Sequence, residues 1–116
     1  MNVSIIGAGL IGARRARVAR AAGDKVVAIH DPDATRAKRL ADEVDACVSD
    51  SAEAAIAVSD IAVVATPNKY LAPAALRAME TGRHVLIEKP MGRNLEEAHR
   101  LFKTQASHPG VVFKVG

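Results

Sequence analysis

Short apolar runs alternate along the chain with longer alanine- and leucine-rich stretches that have the helical period. The runs are nearly continuous in apolar, mostly β-branched residues, as is typical of strands covered on both faces. They lie at residues 3–6, 26–29, 46–48, 61–65, 84–87 and 111–115. This alternation predicts an α/β fold, with a doubly wound, parallel, six-stranded sheet and helices on both faces.

The stretch at residues 34–44 has the clearest amphipathic pattern. It places Ala37, Leu40, Ala41 and Val44 at positions i, i+3, i+4 and i+7, with charged residues between them. One face of such a helix packs on a sheet while the other stays in water. The stretch is therefore predicted to be a crossover helix between two parallel strands.

Glycine and proline mark several helix boundaries. Gly23 and Gly82 follow helical stretches at positions where a left-handed residue ends a helix. Pro73 suits the first turn of a helix, where its missing N–H is not needed. We therefore expect helices that begin near Leu10 and near Pro73 and end at these glycines.

Two further helix starts are predicted from capping patterns. Asp50 precedes Glu53 by three residues, and Asn94 precedes Glu97 by the same interval. An acceptor side chain at the N-cap with a carboxylate three residues later satisfies backbone N–H groups that the helix leaves unpaired. We expect Asp50 and Asn94 to be these N-caps.

Length and composition place the chain in a broad class. It has 116 residues, 49% of them hydrophobic and 25% charged, which fits one domain and leaves no room for a second of ordinary size. No apolar stretch approaches the roughly 20 residues that cross a bilayer, and the N-terminal run lacks the basic region of a signal peptide. The one cysteine, Cys47, is interpreted as a small buried hydrophobe in a reducing compartment. We expect a cytoplasmic protein without a membrane segment.

The charge balance argues against a nucleic-acid partner. The chain carries 16 Lys and Arg against 13 Asp and Glu, and only 3% of its residues are aromatic, which leaves few rings to stack on bases. The most basic stretch spreads its side chains around a helix and is interpreted as a solvated surface. These side chains are Arg14, Arg15, Arg17 and Arg20.

The four histidines and the large apolar side chains suggest no functional site. His30, His84, His99 and His108 have no partner at metal-ligand or triad spacing, so no metal is predicted. Met79 and Phe102 are expected in the core.

A glycine-rich turn between the first strand and the first helix carries the strongest functional signal. The glycines allow a tight turn at Gly7, a close backbone approach to a pyrophosphate at Gly9, and close helix–strand packing at Gly12. The helix start adds free N–H groups and a positive dipole end. The predicted cofactor-binding residues of the turn are Gly7, Ala8, Gly9, Leu10, Ile11 and Gly12.

An acidic residue at the end of the second predicted strand supports this interpretation. Asp31 follows Gly12 by 31 − 12 = 19 residues, close to the interval at which a carboxylate accepts hydrogen bonds from the adenosine ribose. Its charge would repel a 2′-phosphate, so NAD is favoured over NADP. Two alternatives stay open: Asp31 is a turn residue before Pro32, or Arg36 reaches a 2′-phosphate and NADP binds. Asp33 is a candidate N-cap of the next helix under any of these interpretations.

Two later motifs separate a dinucleotide-binding protein from a methyltransferase that uses S-adenosylmethionine. Both classes have a glycine-rich first loop and an acidic end to the second strand, but S-adenosylmethionine has no pyrophosphate to bind a helix start. The later motifs follow the fourth and fifth strands, where open α/β sheets bind ligands. They are Thr66-Pro67-Asn68 and Glu88-Lys89-Pro90.

With these motifs, the whole chain resembles the N-terminal domain of the Gfo/Idh/MocA oxidoreductases, the glucose-fructose oxidoreductase and inositol dehydrogenase family. The resemblance rests on Gly7, Gly9, Gly12 and Asp31, on the turn Ala65-Thr66-Pro67-Asn68, and on the run Gly82-Arg83-His84-Val85-Leu86-Ile87-Glu88-Lys89-Pro90. That last run is close to the family's GKHVxxEKP signature and is the most specific feature. One departure is Ala72, where the family commonly has a histidine.

The resemblance implies roles for the later motifs. Lys89 would lie near the nicotinamide and the substrate as an electrostatic catalyst, because an ammonium stabilises developing alkoxide charge. Glu88 would bond the ribose on the nicotinamide side, and Thr66, Pro67 and Asn68 would pass beneath the cofactor. Pro90 is expected to follow a cis peptide bond.

The resemblance also implies an activity that this chain does not complete alone. The family transfers hydride between a nicotinamide cofactor and a sugar, polyol or related hydroxyl compound. In the family, the proton-transfer residues lie in a C-terminal substrate domain, through which relatives form homo-oligomers. We expect this domain to be absent from this chain. We therefore expect dinucleotide binding with slow or no turnover. The alternative is a non-catalytic dinucleotide-binding sensor or regulatory module.

Overall fold

Strands and helices alternate along the whole chain. The computed structural model describes residues 1–116, apart from the side chain of Asn68. The strands are β1 (Asn2–Ile6), β2 (Lys25–His30), β3 (Cys47–Val48), β4 (Ile61–Val64), β5 (His84–Ile87) and β6 (Phe113–Val115). The helices are α1 (Leu10–Ala21), α2 (Ala34–Val44), α3 (Ala52–Ala57), α4 (Asn68–Glu80) and α5 (Leu95–Ser107).

The six strands form one parallel sheet in the order β3-β2-β1-β4-β5-β6. In the centre of the sheet, Ile5 pairs with Ile29 on one side and with Val63 on the other. The chain thus builds the sheet outward from β1 in one direction and then, starting with β4, in the other. The predicted α/β fold with a doubly wound, six-stranded sheet is confirmed.

Two apolar cores lie on opposite faces of this sheet. On one face, α1 and α2 bury side chains such as Ala16 and Leu40 against Ile5 and Ile29. On the other face, α3, α4 and α5 bury side chains such as Ile56, Met79 and Leu101. The predicted stripe of α2 is confirmed, since its buried residues are Ala37, Leu40, Ala41 and Val44.

Most predicted helix boundaries are confirmed. Gly23 and Gly82 have φ angles of +92° and +81° and follow α1 and α4 as predicted. Asn94 caps α5, because its side-chain oxygen accepts a hydrogen bond from the Glu97 N–H at 2.9 Å. The Glu97 carboxylate accepts from the Arg93 N–H instead of the N-cap N–H that a capping box uses.

Two predicted helix starts are wrong. Helix α4 begins at Asn68, five residues before Pro73, which lies inside it. Leu71 and Ala72 are buried in the core, and this burial favours the helix despite the backbone hydrogen bond that proline removes. The N-cap of α3 is Ser51, not Asp50: the Ser51 hydroxyl accepts a hydrogen bond from the Ala54 N–H at 3.0 Å.

Two predictions of burial are also wrong. Cys47 is exposed because it lies on the two-residue edge strand β3. Phe102 is 53% exposed and packs edge-to-face on Phe113, with the ring centroids 6.2 Å apart. Met79 is buried as predicted. In the described part of the chain, no helix has both the length and the apolar character needed to cross a membrane.

Candidate functional site

A cleft of about 890 Å³ opens where the order of the strands reverses, between β1 and β4. Open α/β sheets bind their ligands at this position, outside the carboxyl ends of the strands. The cleft brings together seven of the predicted cofactor-binding residues. They are Gly7, Gly9, Leu10, Ile11, Asp31, Thr66 and Pro67.

The glycine-rich turn fits closely between β4 and α1. Gly7 has a φ angle of +103°, and a Cβ atom there would lie 2.6 Å from the carbonyl oxygen of Ala65. A Cβ atom on Gly12 would lie 1.8 Å from the carbonyl oxygen of Gly7. Both positions therefore require glycine, because the neighbouring backbone leaves no room for a side chain.

Gly9 differs from these two glycines because the space around it is open. No heavy atom lies within 4 Å of the position that a Cβ would take. Gly9 is also the N-cap of α1, so no side chain caps this helix, and its first turn contains no acidic residue. The first N–H groups of a helix have no partner within it, so the start of α1 presents donors and a positive dipole end to an anion in the cleft.

Asp31 is fixed at the end of β2 by two backbone groups. Its Oδ2 atom accepts a hydrogen bond from the Ala8 N–H and its Oδ1 atom from the Asp33 N–H, both at 2.8 Å. The side chain is 8% exposed, and Nη1 of Arg36 lies 3.8 Å from Oδ2. Asp31 thus links the glycine-rich turn to the turn that follows β2. As predicted, Asp33 caps α2 by accepting a hydrogen bond from the Arg36 N–H.

The loop after β4 contributes a buried hydroxyl group. The Oγ1 atom of Thr66 is buried and has no hydrogen-bond partner among the described residues. Pro67 is the N-cap of α4. Asn68, the next predicted site residue, has a side chain outside the part that the structure describes.

One face of α4 forms a wall of the cleft that sequence analysis missed. Tyr70, Ala74 and Arg77 line the cleft together with Pro67. From Pro67 onward, successive members of this set are three or four residues apart, which is the helical spacing, and it would have indicated this face if the helix had been predicted to begin before Pro73. At the far end of this wall, Nη2 of Arg77 lies 3.5 Å from Oε1 of Glu53.

The Glu88-Lys89-Pro90 turn follows β5 at the same edge of the sheet, but its residues do not line the cleft. Two predicted residues of the glycine-rich turn, Ala8 and Gly12, do not line the cleft either. Lys89 is exposed, and its backbone N–H donates to the carbonyl oxygen of Gly116 at 3.3 Å. The Lys89–Pro90 peptide bond is cis, as expected. The Glu88 carboxylate forms an ion pair with Arg15 of α1, which sequence analysis had assigned to a solvated surface.

These features fit a dinucleotide. The open, uncapped start of α1 matches a pyrophosphate, and the carboxylate of Asp31 matches the hydroxyls of a ribose. The unpaired hydroxyl of Thr66 supplies a further polar contact in the same cleft. The parallel sheet and this cleft together define a dinucleotide-binding domain of the Rossmann type.

Comparisons with known proteins agree with this class. Residues 1–116 match the family model described as an oxidoreductase family with an NAD-binding Rossmann fold. The chain belongs to this family, the Gfo/Idh/MocA oxidoreductases, and is its NAD-binding domain. The predicted family and NAD cofactor are thus confirmed.

Individual relatives show how much of such proteins the chain covers. Inositol 2-dehydrogenase 4 of Saccharopolyspora erythraea is 34% identical, over 100% of this chain and 36% of the relative. The structure of UDP-N-acetylglucosamine 3-dehydrogenase GnnA from Acidithiobacillus ferrooxidans superposes with a TM-score of 0.93 at 31% identity, over 100% of this chain and 38% of GnnA. The structure of GenD2 from gentamicin A biosynthesis, in complex with NAD, superposes with a TM-score of 0.94 at 29% identity, over 100% of this chain and 34% of GenD2. The chain spans about a third of the length of the curated relatives it matches.

Proposed function

We propose that the chain binds the pyrophosphate of NAD at the start of α1 and the adenosine ribose at Asp31. We further propose that it is the cofactor-binding part of a protein that transfers hydride between NAD and a hydroxyl-bearing carbon of a sugar or polyol. The observation that carries this proposal is the open space at Gly9, at the uncapped end of a helix that faces the cleft.

The direction of the cofactor across the sheet follows from Asp31. With the adenosine ribose at the end of β2, the other half of the dinucleotide extends over β4 and toward β5, because the two halves bind on either side of the reversal point. The turn that follows β5 then faces the nicotinamide half. This arrangement supports the proposed role of Glu88 in binding the second ribose.

Lys89 is the proposed catalytic residue in this arrangement. NAD, when bound, accepts the hydride from the carbon that carries the hydroxyl group. The exposed ammonium of Lys89 would donate a hydrogen bond to the hydroxyl oxygen and stabilise its developing negative charge. We propose that the proton acceptor belongs to the part of the relatives that this chain does not match, so efficient turnover needs that part.

The substrate class rests on the relatives. The Saccharopolyspora erythraea relative is an inositol 2-dehydrogenase, and the Acidithiobacillus ferrooxidans relative is a UDP-N-acetylglucosamine 3-dehydrogenase. The substrates in both names carry ring hydroxyls. A cyclic polyol or sugar is therefore the proposed substrate.

Calorimetric titration with NADH tests the pyrophosphate site. The variant Gly9→Val should bind NADH at least about tenfold more weakly, because the new side chain occupies the space proposed for the phosphates. Gly110→Val is the matched control, since Gly110 also has open space around it and lies in the loop before β6. Equal affinity of both variants for NADH would rule out the proposed site.

Titration with NADH and NADPH tests the role of Asp31. The unaltered chain should prefer NADH, and Asp31→Asn should shift the ratio of the two affinities toward NADPH by roughly tenfold, because it removes the charge that repels a 2′-phosphate. An unchanged ratio would contradict ribose binding at Asp31.

The absorbance of NADH formed from NAD⁺ and myo-inositol tests whether this chain can transfer hydride without the rest of the relatives' length. We expect at most slow turnover by this chain. Rapid turnover would show that the proton acceptor lies within residues 1–116 and would contradict its proposed location elsewhere.

A further inference from the structure

Arg15 connects the helix at the proposed phosphate site with the turn that follows β5. It lies in the second turn of α1, and its Nε atom donates a hydrogen bond to Oε1 of Glu88, a residue 73 positions away in the chain. The pair is partly buried, with side-chain exposures of 33% for Arg15 and 17% for Glu88. Partial burial reduces the solvent screening that weakens ion pairs at a surface.

A second Arg–Glu pair on the same helix provides a comparison. Arg17 pairs with Glu43 of α2, and their side chains are 55% and 44% exposed. That pair joins two helices on one face of the sheet. The Arg15 pair differs because its carboxylate belongs to the turn that carries Lys89.

The backbone around this pair joins three elements. The Glu88 N–H donates to the carbonyl oxygen of Val64 at 3.0 Å, which ties the turn to β4. The Gly116 N–H donates to the carbonyl oxygen of Ile87 at 2.8 Å. A Cβ on Gly116 would lie 2.7 Å from Nη2 of Arg15. The guanidinium group therefore packs directly against the backbone where β5 and β6 end.

We propose that Arg15 is a positioning residue for the nicotinamide half of the bound dinucleotide. It engages Oε1 of Glu88 through one hydrogen bond, which orients the carboxylate and leaves Oε2 to accept a hydrogen bond from a ribose hydroxyl. It also fixes the distance between the start of α1 and the Glu88-Lys89-Pro90 turn. This inference rests on the proposed function, because it requires the dinucleotide to extend from α1 to β5.

Comparing NADH with ADP tests this role. ADP carries the adenosine and two phosphates but lacks the nicotinamide ribose, so it reports on the glycine-rich turn and Asp31 alone. Arg15→Ala should bind NADH about tenfold more weakly, the effect of losing a hydrogen bond to a charged group, and should bind ADP within about twofold of the unaltered chain. Retained ADP binding also shows that the variant is folded.

Four further variants, one of them combining Arg15→Ala with Glu88→Ala, define the mechanism. Arg17→Ala is the matched control and should leave both affinities unchanged. Arg15→Lys should recover part of the NADH affinity, because it keeps the charge but not the geometry of the guanidinium. Since Arg15 acts through Glu88, Arg15→Ala should add little to the loss already caused by Glu88→Ala.

The outcomes separate this inference from the proposed function. If the unaltered chain binds NADH and Arg15→Ala weakens NADH and ADP equally, or neither, the positioning role is refuted and the proposed function stands. A loss for Arg15→Ala that adds fully to the Glu88→Ala loss also refutes it. If the unaltered chain binds no NADH, both proposals fail.

Discussion

At the scale of single residues, the three glycines of the first turn have separate physical requirements. Gly7 and Gly12 lie where a Cβ would overlap a backbone carbonyl oxygen, whereas Gly9 faces open space. Backbone cannot move aside as a flexible side chain can, so the first two glycines are required for folding. At Gly9 alone of the three, the space that a side chain would occupy is available to a ligand.

This difference predicts that substitutions at Gly12 and Gly9 change stability by very different amounts. Gly12→Ala should lower the free energy of unfolding by about 3 kcal/mol or more, because its Cβ overlaps the Gly7 carbonyl oxygen. Gly9→Ala should change it by less than about 1 kcal/mol. Urea denaturation followed by circular dichroism measures both. A Gly12→Ala variant as stable as Gly9→Ala would contradict the close packing of α1 on the turn.

At the scale of elements, prediction from sequence succeeded where the determining contacts are local or periodic. The stripe of α2 and the left-handed glycines after α1 and α4 follow from residues within each element. The start of α4 was missed because the burial of Leu71 depends on β4, β5 and the other helices on that face. The exposure of Cys47 depends on β3 being an edge strand, which the pattern of apolar residues does not show.

The corrected N-cap of α3 leads to a stability prediction. Ser51→Ala should lower the free energy of unfolding by about 1 kcal/mol, because the Ala54 N–H loses its acceptor. Asp50→Ala, the neighbouring substitution, should cost only a few tenths of a kcal/mol through the helix dipole. Thermal denaturation of the two variants compares them directly. A larger loss for Asp50→Ala would restore the original assignment of the cap.

The contact between α1 and α2 predicts a dependence of stability on pH. The hydrogen bond from Arg17 lowers the pKa of Glu43 in the folded chain, desolvation opposes this effect, and the charges of Arg17 and Arg20 lower the pKa further. Because the folded pKa lies below the unfolded one, this pair stabilises the fold above the ordinary glutamate pKa of about 4.3. The stabilisation is lost as pH falls through the lowered pKa.

Denaturation in urea between pH 6 and pH 3 measures this effect. Glu43→Gln should reduce the fall in stability over that range, and Arg17→Gln should reduce it similarly, because the hydrogen bond from Arg17 is the largest cause of the lowered pKa. If Glu43→Gln changes the dependence of stability on pH and Arg17→Gln does not, the lowered pKa of Glu43 arises from another partner. The glutamate of the Arg93–Glu97 pair, whose pKa is also lowered by its arginine, should keep some acid sensitivity in both variants.

At the scale of the whole molecule, the site depends on which strands are neighbours. Asp31 follows Gly12 by 19 residues, and this spacing, with the strand, turn and helix predicted around the glycines, indicated that the turn and Asp31 act together. The wall of the cleft formed by α4 and the ion pair between Arg15 and Glu88 required the order of the strands. Sequence therefore predicted the parts of the site within the first βαβ unit better than the parts on the other side of the reversal point.

The same geometry predicts how ligands stabilise the fold. NADH at about 100 times its dissociation constant should stabilise the folded chain by about 2.7 kcal/mol, which raises the melting temperature by roughly 10 °C for a domain of this size. ADP at the same concentration should raise it less, because it lacks the contacts near β5. Differential scanning fluorimetry measures both shifts, and Gly9→Val should show a clearly smaller shift with either ligand. An equal shift for ADP and NADH would mean that the nicotinamide half of NADH makes no stabilising contact beyond β1 and β2. The turn after β5 would then lie outside the binding site.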